Sequence, residues 1–185
     1  MKFCTWGNIA SAVEGKPVGG GELQIAMLCK VLAASGHEVV IVDTKVEKDY
    51  VTKEGIKIVK VQGWDDGIRF LRFITHRLPL LYKYLKNQKA DIYYCQIRDY
   101  THVLAYMAAR RSKGKFVIQL ASDLDALNLR LRMKYDYLTN LDGGLWWFVK
   151  VPLNEIIFPR LVRKADLTLV QHEGQKESLA KKGIK

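Results

Sequence analysis

Apolar residues fall along this chain in short dense runs, separated by longer stretches where they recur every three or four positions. The dense runs are Lys2 to Trp6, Glu38 to Asp43, Ile56 to Val61, Ile92 to Ile97, Phe116 to Ala121 and Leu167 to Gln171. Two of them, "EVVIVD" and "KFVIQLA", are apolar almost throughout, as strands covered on both faces are. Strands alternating with helical patterns predict an α/β fold with a parallel sheet of about six or seven strands and helices on both faces. No internal repeat or low-complexity segment breaks the alternation, which argues against a solenoid.

The first predicted helix runs from Glu22 to Ser35, with Leu23, Met27, Val31 and Ala34 as its core stripe and Gly36 as its cap. A second begins near Asp65 or Asp66 and carries Ile68, Leu71, Ile74 and Leu78 at helical spacing. Pro79 should kink or split it. A third lies between Tyr100 and Arg111, with Val103, Leu104, Met107 and Ala108 as its buried face. The irregular stretch from Ser122 to Asp166 reads as two helices around a turn at Asp142, Gly143 and Gly144. The last helix spans Gly174 to Lys182.

A length of 185 residues predicts one compact domain over 1–185. The 49% hydrophobic and 26% charged content is that of a globule, not of a disordered chain. A net charge of +11 favours anionic partners: nucleic acid, anionic lipid or phosphorylated substrates. Cys4, Cys29 and Cys95 lack metal-ligand spacing and read as buried thiols in a reducing compartment. The start "MKFCTWGNIA" reads as a first strand and not a leader, so a cytoplasmic location is expected. The most apolar stretch, Gly143 to Val162, is interrupted by Lys150, Asn154, Glu155, Arg160 and two prolines, and makes a poor spanning helix.

Gly19, Gly20 and Gly21 precede the first helix, where free amides and the positive end of the helix dipole suit an anion. Asp43 supplies the acid that a dinucleotide site wants after its second strand, but the glycines lack that site's spacing, and no phosphate-loop ending follows them. His37, His76, His102 and His172 show no metal spacing and no partner nucleophile, so no metal and no resident cofactor are expected. Asp123 and Asp125 follow a strand at its C-terminal end, where parallel sheets place ligands; the competing reading is a helix cap. Gly67 to Ala90 carries Arg69, Arg72, Arg77 and Lys83 and no acid. It reads either as a core-facing helix with a solvated basic side or as a membrane-interface helix. Trp146 and Trp147, followed by Phe148, add weight to the membrane. Nucleic acid is demoted for want of any binding motif.

Four stretches together resemble the N-terminal domain of the family 4 glycosyltransferases: "GGGELQIAMLCKVLAASGHEVVIV", "KADIYYCQIRDYTHVLAYMAARRSKGKFVIQLASDLDAL", "RLVRKADLTLVQHEGQKESLAKKGI" and, more weakly, "MKFCTWG". The resemblance implies a Rossmann-like, acceptor-binding N-terminal half of a GT-B fold. Its C-terminal donor-binding domain would be missing, and the isolated chain inactive. It implies a retaining transferase that moves a sugar from a nucleotide-sugar, held as substrate, to a glycan or lipid-linked acceptor of polysaccharide biosynthesis. The setting would be the cytoplasmic side of the membrane, with peripheral contact. Gly20, Gly21 and Glu22 carry over as cleft residues beside Gly19. Ser122 stands where many members have a histidine, so Asp123 or Asp125 is the better candidate for sugar contact and for any catalytic role. Arg98 would face the same crevice and meet an anion. The alternatives are a non-catalytic sugar- or nucleotide-binding module, or a membrane-surface adaptor, of the same fold.

Overall fold

The computed structural model describes residues 1–16, 19–68, 71–96, 98–126 and 144–184, with backbone alone at 124 and 144–150. Arg69, the turn at Asp142 and Gly143, and the side chains of Trp146 and Trp147 therefore lie outside the described residues. The chain divides into two compact units, Met1–Cys95 with Leu104–Phe116, and Gln96–Val103 with Val117–Lys185.

The first unit is built on β1 (Lys2–Trp6), β2 (Glu38–Asp43), β3 (Tyr50–Val51), β4 (Lys57–Lys60) and β5 (Ile92–Gln96), in the order β3-β4-β2-β1-β5. All pairings are parallel except β3 with β4. Cys4 at the centre of β1 lies opposite Val40 on β2 and Tyr93 on β5. Val39, Val40, Ile41 and Val42 are all buried, because helices cover both faces of this part of the sheet. Of the helices, α2 (Gly20–Ala34) and α3 (Leu78–Gln88) pack on these strands and α1 (Ala10–Val13) packs on α2, while α4 (His102–Ser112) follows β5 along the chain. At the outer border β3 is only two residues long, and the amide of Lys60 on β4 donates to Asp49 Oδ1 at 2.8 Å instead.

Six strands fall on the six apolar runs, whereas β3 at Tyr50–Val51 lies in none of them and the helix faces depart from the pattern. On α2 the expected core stripe is the exposed one: Leu23, Met27 and Val31 face outward, and Ile25, Ala26 and Cys29 are buried. The helix is apolar around most of its circumference, so periodicity finds the helix without choosing its face. On α4, Leu104 and Ala108 are buried as expected, but Met107 is exposed and Ala105 and Ala109 take the inner positions. Small side chains let the helix approach closely, and a reading weighted by hydrophobicity undervalues them. Ile68, Leu71 and Ile74 are exposed, against the core-facing one of the two readings of this segment. Gly67 at φ +88° precedes them, and the winding is π from Phe73 to Arg77 before α3 begins. Pro79 sits in the first turn of α3, directly after the π turn, so the winding changes there while the backbone stays helical from Phe73 into α3.

The second unit holds β6 (Lys115–Gln119), whose last three residues pair in parallel with β7 (Leu167–Leu169), and α5 (Asp123–Ala126), α6 (Gly144–Lys164) and α7 (Glu173–Ala180). Both strands end sooner than the apolar runs suggest. The amides of Ala121 and Ser122 turn to Asp125 Oδ2 (2.9 and 3.0 Å), and that of Gln171 turns to Gln175 Oε1 (2.9 Å). Pro152 and Pro159 lie inside α6, and among the described residues no helix is long and apolar enough to cross a membrane. The seven strands, mostly parallel and alternating with helices, form the expected α/β, Rossmann-like architecture.

Candidate functional site

In the first unit the chain leaves β1 at Gly7, whose φ of +135° is open to glycine and rare for other residues. Its amide donates to Val42 O at 3.1 Å, tying the turn to β2. Asp43 at the end of β2 is buried; its Oδ2 accepts the Ala10 amide at 3.1 Å and its Oδ1 the Lys45 amide at 2.8 Å. This carboxylate braces the start of α1, so the one acid that a dinucleotide site would have used is committed to the backbone.

Helix α2 starts at Gly20, with Gly19 as its N-cap in extended backbone (φ −67°, ψ 160°) and no side-chain cap. The Leu23 amide makes the first intrahelical bond, to Gly19 O at 3.1 Å. The amides of Gly20, Gly21 and Glu22 thus lack intrahelical acceptors at the positive end of the helix dipole. A Cβ on Gly20 would meet nothing within 4 Å, so ligand can approach the backbone there. A Cβ on Gly19 would lie 2.6 Å from Glu22 Oε2, which places the Glu22 carboxylate against Gly19. The result is a mixed surface: amides that donate to an oxyanion, beside a carboxylate that accepts from a hydroxyl.

In the second unit Asp123 and Asp125 part company. Asp125 is buried, and its Oδ2 takes the two amides at the end of β6, including that of Ser122. Asp123 is exposed; its Oδ1 accepts from His172 Nε2 at 2.5 Å and from Gln175 Nε2 at 3.1 Å. The His172 bond, then the Gln175 bond, hold the Asp123 carboxyl below its usual range. Both aspartates follow β6, and His172 and Gln175 follow β7, so these hydrogen-bonding side chains gather at one end of two parallel strands.

Arg98, read from sequence as facing an anion, is buried and ion-paired to Glu155 on α6 at 2.6 Å, with its guanidinium 4.9 Å above the Phe158 ring. Asn154 Oδ1 accepts the Tyr100 amide at 2.5 Å. The sequence reading gave neither Glu155 nor Asn154 a role. Their one signal is two polar residues set inside the apolar run "PLNEIIFP", since a buried charge calls for a partner. Arg72 Nη1 donates to Asp65 O at 2.7 Å, and Arg77 contacts Asp65 and lies 5.2 Å above the Trp64 ring, while Lys83 is exposed on α3. Among the described residues no group of three or more His, Cys, Asp or Glu is placed to hold a metal ion.

No curated protein matches the chain. The family model for Glycosyltransferase Family 4 matches residues 18–185, from the edge of the glycine triplet onward and so through all the strands and helices after β1 and α1. With that match over an α/β, Rossmann-like architecture of the GT-B kind, the chain belongs to Glycosyltransferase Family 4.

Proposed function

We propose that this chain is the N-terminal, acceptor-side domain of a retaining glycosyltransferase, working with a separate donor-binding domain. It moves a sugar from a nucleotide-sugar to a glycan or lipid-linked acceptor, with the donor as substrate and no resident cofactor. The observation that carries the reading is the uncapped start of α2, where Gly20 leaves the backbone amides approachable. As the bond from the sugar to the nucleoside diphosphate breaks, negative charge grows on the leaving phosphate. Fixed amides aimed at it stabilise that charge without reorganising. Within the first unit Glu22 supplies an acceptor for a sugar hydroxyl; within the second, Asp123 offers another, with Ser122 next to it in the chain and Asp125 shaping the loop that carries those two.

The test is Gly20→Val in a protein that carries both domains. A loss of sugar transfer of roughly tenfold or more at unchanged folding supports the reading: valine keeps its own amide but its side chain stands where a phosphate would approach, and denying an oxyanion one fixed donor costs about that much or more. Undiminished transfer would leave the glycine loop a structural corner and favour a non-catalytic binding module.

A peripheral membrane contact at the cytoplasmic face is favoured by one observation: Ile68, Leu71 and Ile74 are 69%, 53% and 66% exposed in a basic segment that carries Arg72 and Arg77, both paired with Asp65, and the exposed Lys83 on α3. Apolar side chains next to cations suit an anionic lipid interface. Co-sedimentation with anionic vesicles at low salt checks it, and sedimentation identical to that with neutral vesicles removes it.

A further inference from the structure

The second unit contains a cavity of about 410 Å³ whose lining includes Asp125 but not Asp123, His172 or Gln175. Small-molecule sites span roughly 300 to 1,000 Å³, so it can take more than an inorganic ion. The Arg98–Glu155 ion pair lines it, together with Phe158, Val162, Leu179 and Ile184. Arg160, Arg163 and Lys182 add three more cations to the lining, and Asp125 one more carboxylate.

The charges do not cancel. Glu155 is matched by Arg98 at 2.6 Å, and Asp125 accepts two backbone amides. Four cations (Arg98, Arg160, Arg163, Lys182) thus face two carboxylates (Glu155, Asp125), leaving two positive charges in excess; Arg160 and Arg163 are exposed, and Arg160 Nη1 donates to Ile156 O at 3.0 Å. Arg163 Nη2 reaches Lys182 O at 3.5 Å and the Lys182 ammonium donates to Ala126 O, which keeps both cations at the cavity. Burial, then the positive charges of Arg98 and Arg163, hold the Lys182 ammonium below its usual range, as expected where cations crowd without enough counter-charge.

We infer that this cavity binds an amphiphilic anion, with a phosphate or carboxylate head among Arg160, Arg163 and Lys182 and an apolar tail against Phe158, Val162, Leu179 and Ile184. The head supplies the missing counter-charge, and the tail covers apolar surface that a bare ion would leave wet.

The test is calorimetric titration of the chain with octyl phosphate below its micelle concentration, set beside octanol and inorganic phosphate. Saturable binding is expected for octyl phosphate, with the other two at least about tenfold weaker and with affinity falling as salt rises. Lys182→Met and Arg163→Met should each weaken it by about tenfold or more, the loss expected of one charge-assisted hydrogen bond. Lys182→Arg should retain binding, and Lys53→Met, at an exposed residue that does not line the cavity, should leave it unchanged. No saturable binding overturns the inference, as does equal binding of octanol or of inorganic phosphate, or an affinity unmoved in both Met variants. Should a Met variant not fold, the octanol, phosphate and salt comparisons on the parent chain decide. The titration involves no sugar transfer, so its failure leaves the transferase reading intact, and loss of that reading leaves the cavity's chemistry as it stands.

Discussion

Replacing Glu155 by Gln removes one charge of the Arg98–Glu155 pair and leaves the other buried. The two side chains are 3% (Arg98) and 1% (Glu155) exposed and meet at 2.6 Å. Unit charges about 4 Å apart, centre to centre, attract by roughly 4 kcal/mol at an effective dielectric of about 20, and breaking such a buried pair costs about 3–5 kcal/mol. For a chain of this size each kcal/mol moves the melting temperature by roughly 2–4 °C, so Glu155→Gln should lower it by about 6–20 °C. Removing both charges is a different perturbation. Arg98→Met with Glu155→Met keeps most of the volume and abolishes both desolvation costs, losing only the stacking of Arg98 on Phe158, about 0.5–2 kcal/mol. The double variant should therefore be more stable than either single one. Urea unfolding of the parent, both Met single variants and the double variant closes the cycle, with a coupling of roughly 2 kcal/mol or more expected. A Glu155→Gln cost below about 1 kcal/mol, or a double variant as unstable as the sum of the singles, would refute the reasoning.

Gly114→Ala should destabilise by about 2 kcal/mol or more, because its Cβ would lie 2.4 Å from Ala90 O and 3.0 Å from Asp91 O, backbone atoms that cannot swing aside; a melting curve equal to the parent's would contradict this. Burial pushes the Cys4 and Cys29 thiols up to about 12, so a thiol reagent at pH 8 should label neither until denaturant is added. Rapid labelling of the native chain at either position would show the core to be open. The depressed Asp123 carboxyl contributes stability that is full above its ordinary range and lost as pH falls through its folded value. His172→Ala should move the Asp123 titration, followed by NMR, back toward that ordinary range; an unmoved titration would mean the contact is absent in solution.

The central strands were legible because a strand buried on both faces, as β2 is, is apolar at nearly every position, whereas β3, two residues at the border, leaves no such run. Helix faces were less so. Leu23, Met27 and Val31 form as regular a stripe as Ile25, Ala26 and Cys29, and only the sheet decides which is covered. The glycine triplet announced an uncapped helix start, since glycines offer no side chain to cap it. The second unit was harder to read: Asp123 and Asp125 are two residues apart with opposite fates, one exposed and one folded onto the backbone. The partners of Arg98 and Asp123, Glu155 and His172, are 57 and 49 positions away, and pairing over such separations leaves no local pattern.

The two-residue β3 has a bearing on how the chain behaves in a crowded solution. A long, flat outer strand offers a row of free amides and carbonyls on which a neighbouring chain can build, the usual start of aggregation. Here Tyr50 and Val51 cover only part of β4 and run against it, and Asp49 takes the Lys60 amide that the short strand leaves uncovered. The Lys60 ammonium reaches back to Glu47 O at 2.7 Å, placing a charge at the same border. An incoming strand would have to displace a carboxylate and bury a lysine before gaining a hydrogen bond, so this border discourages self-templated growth.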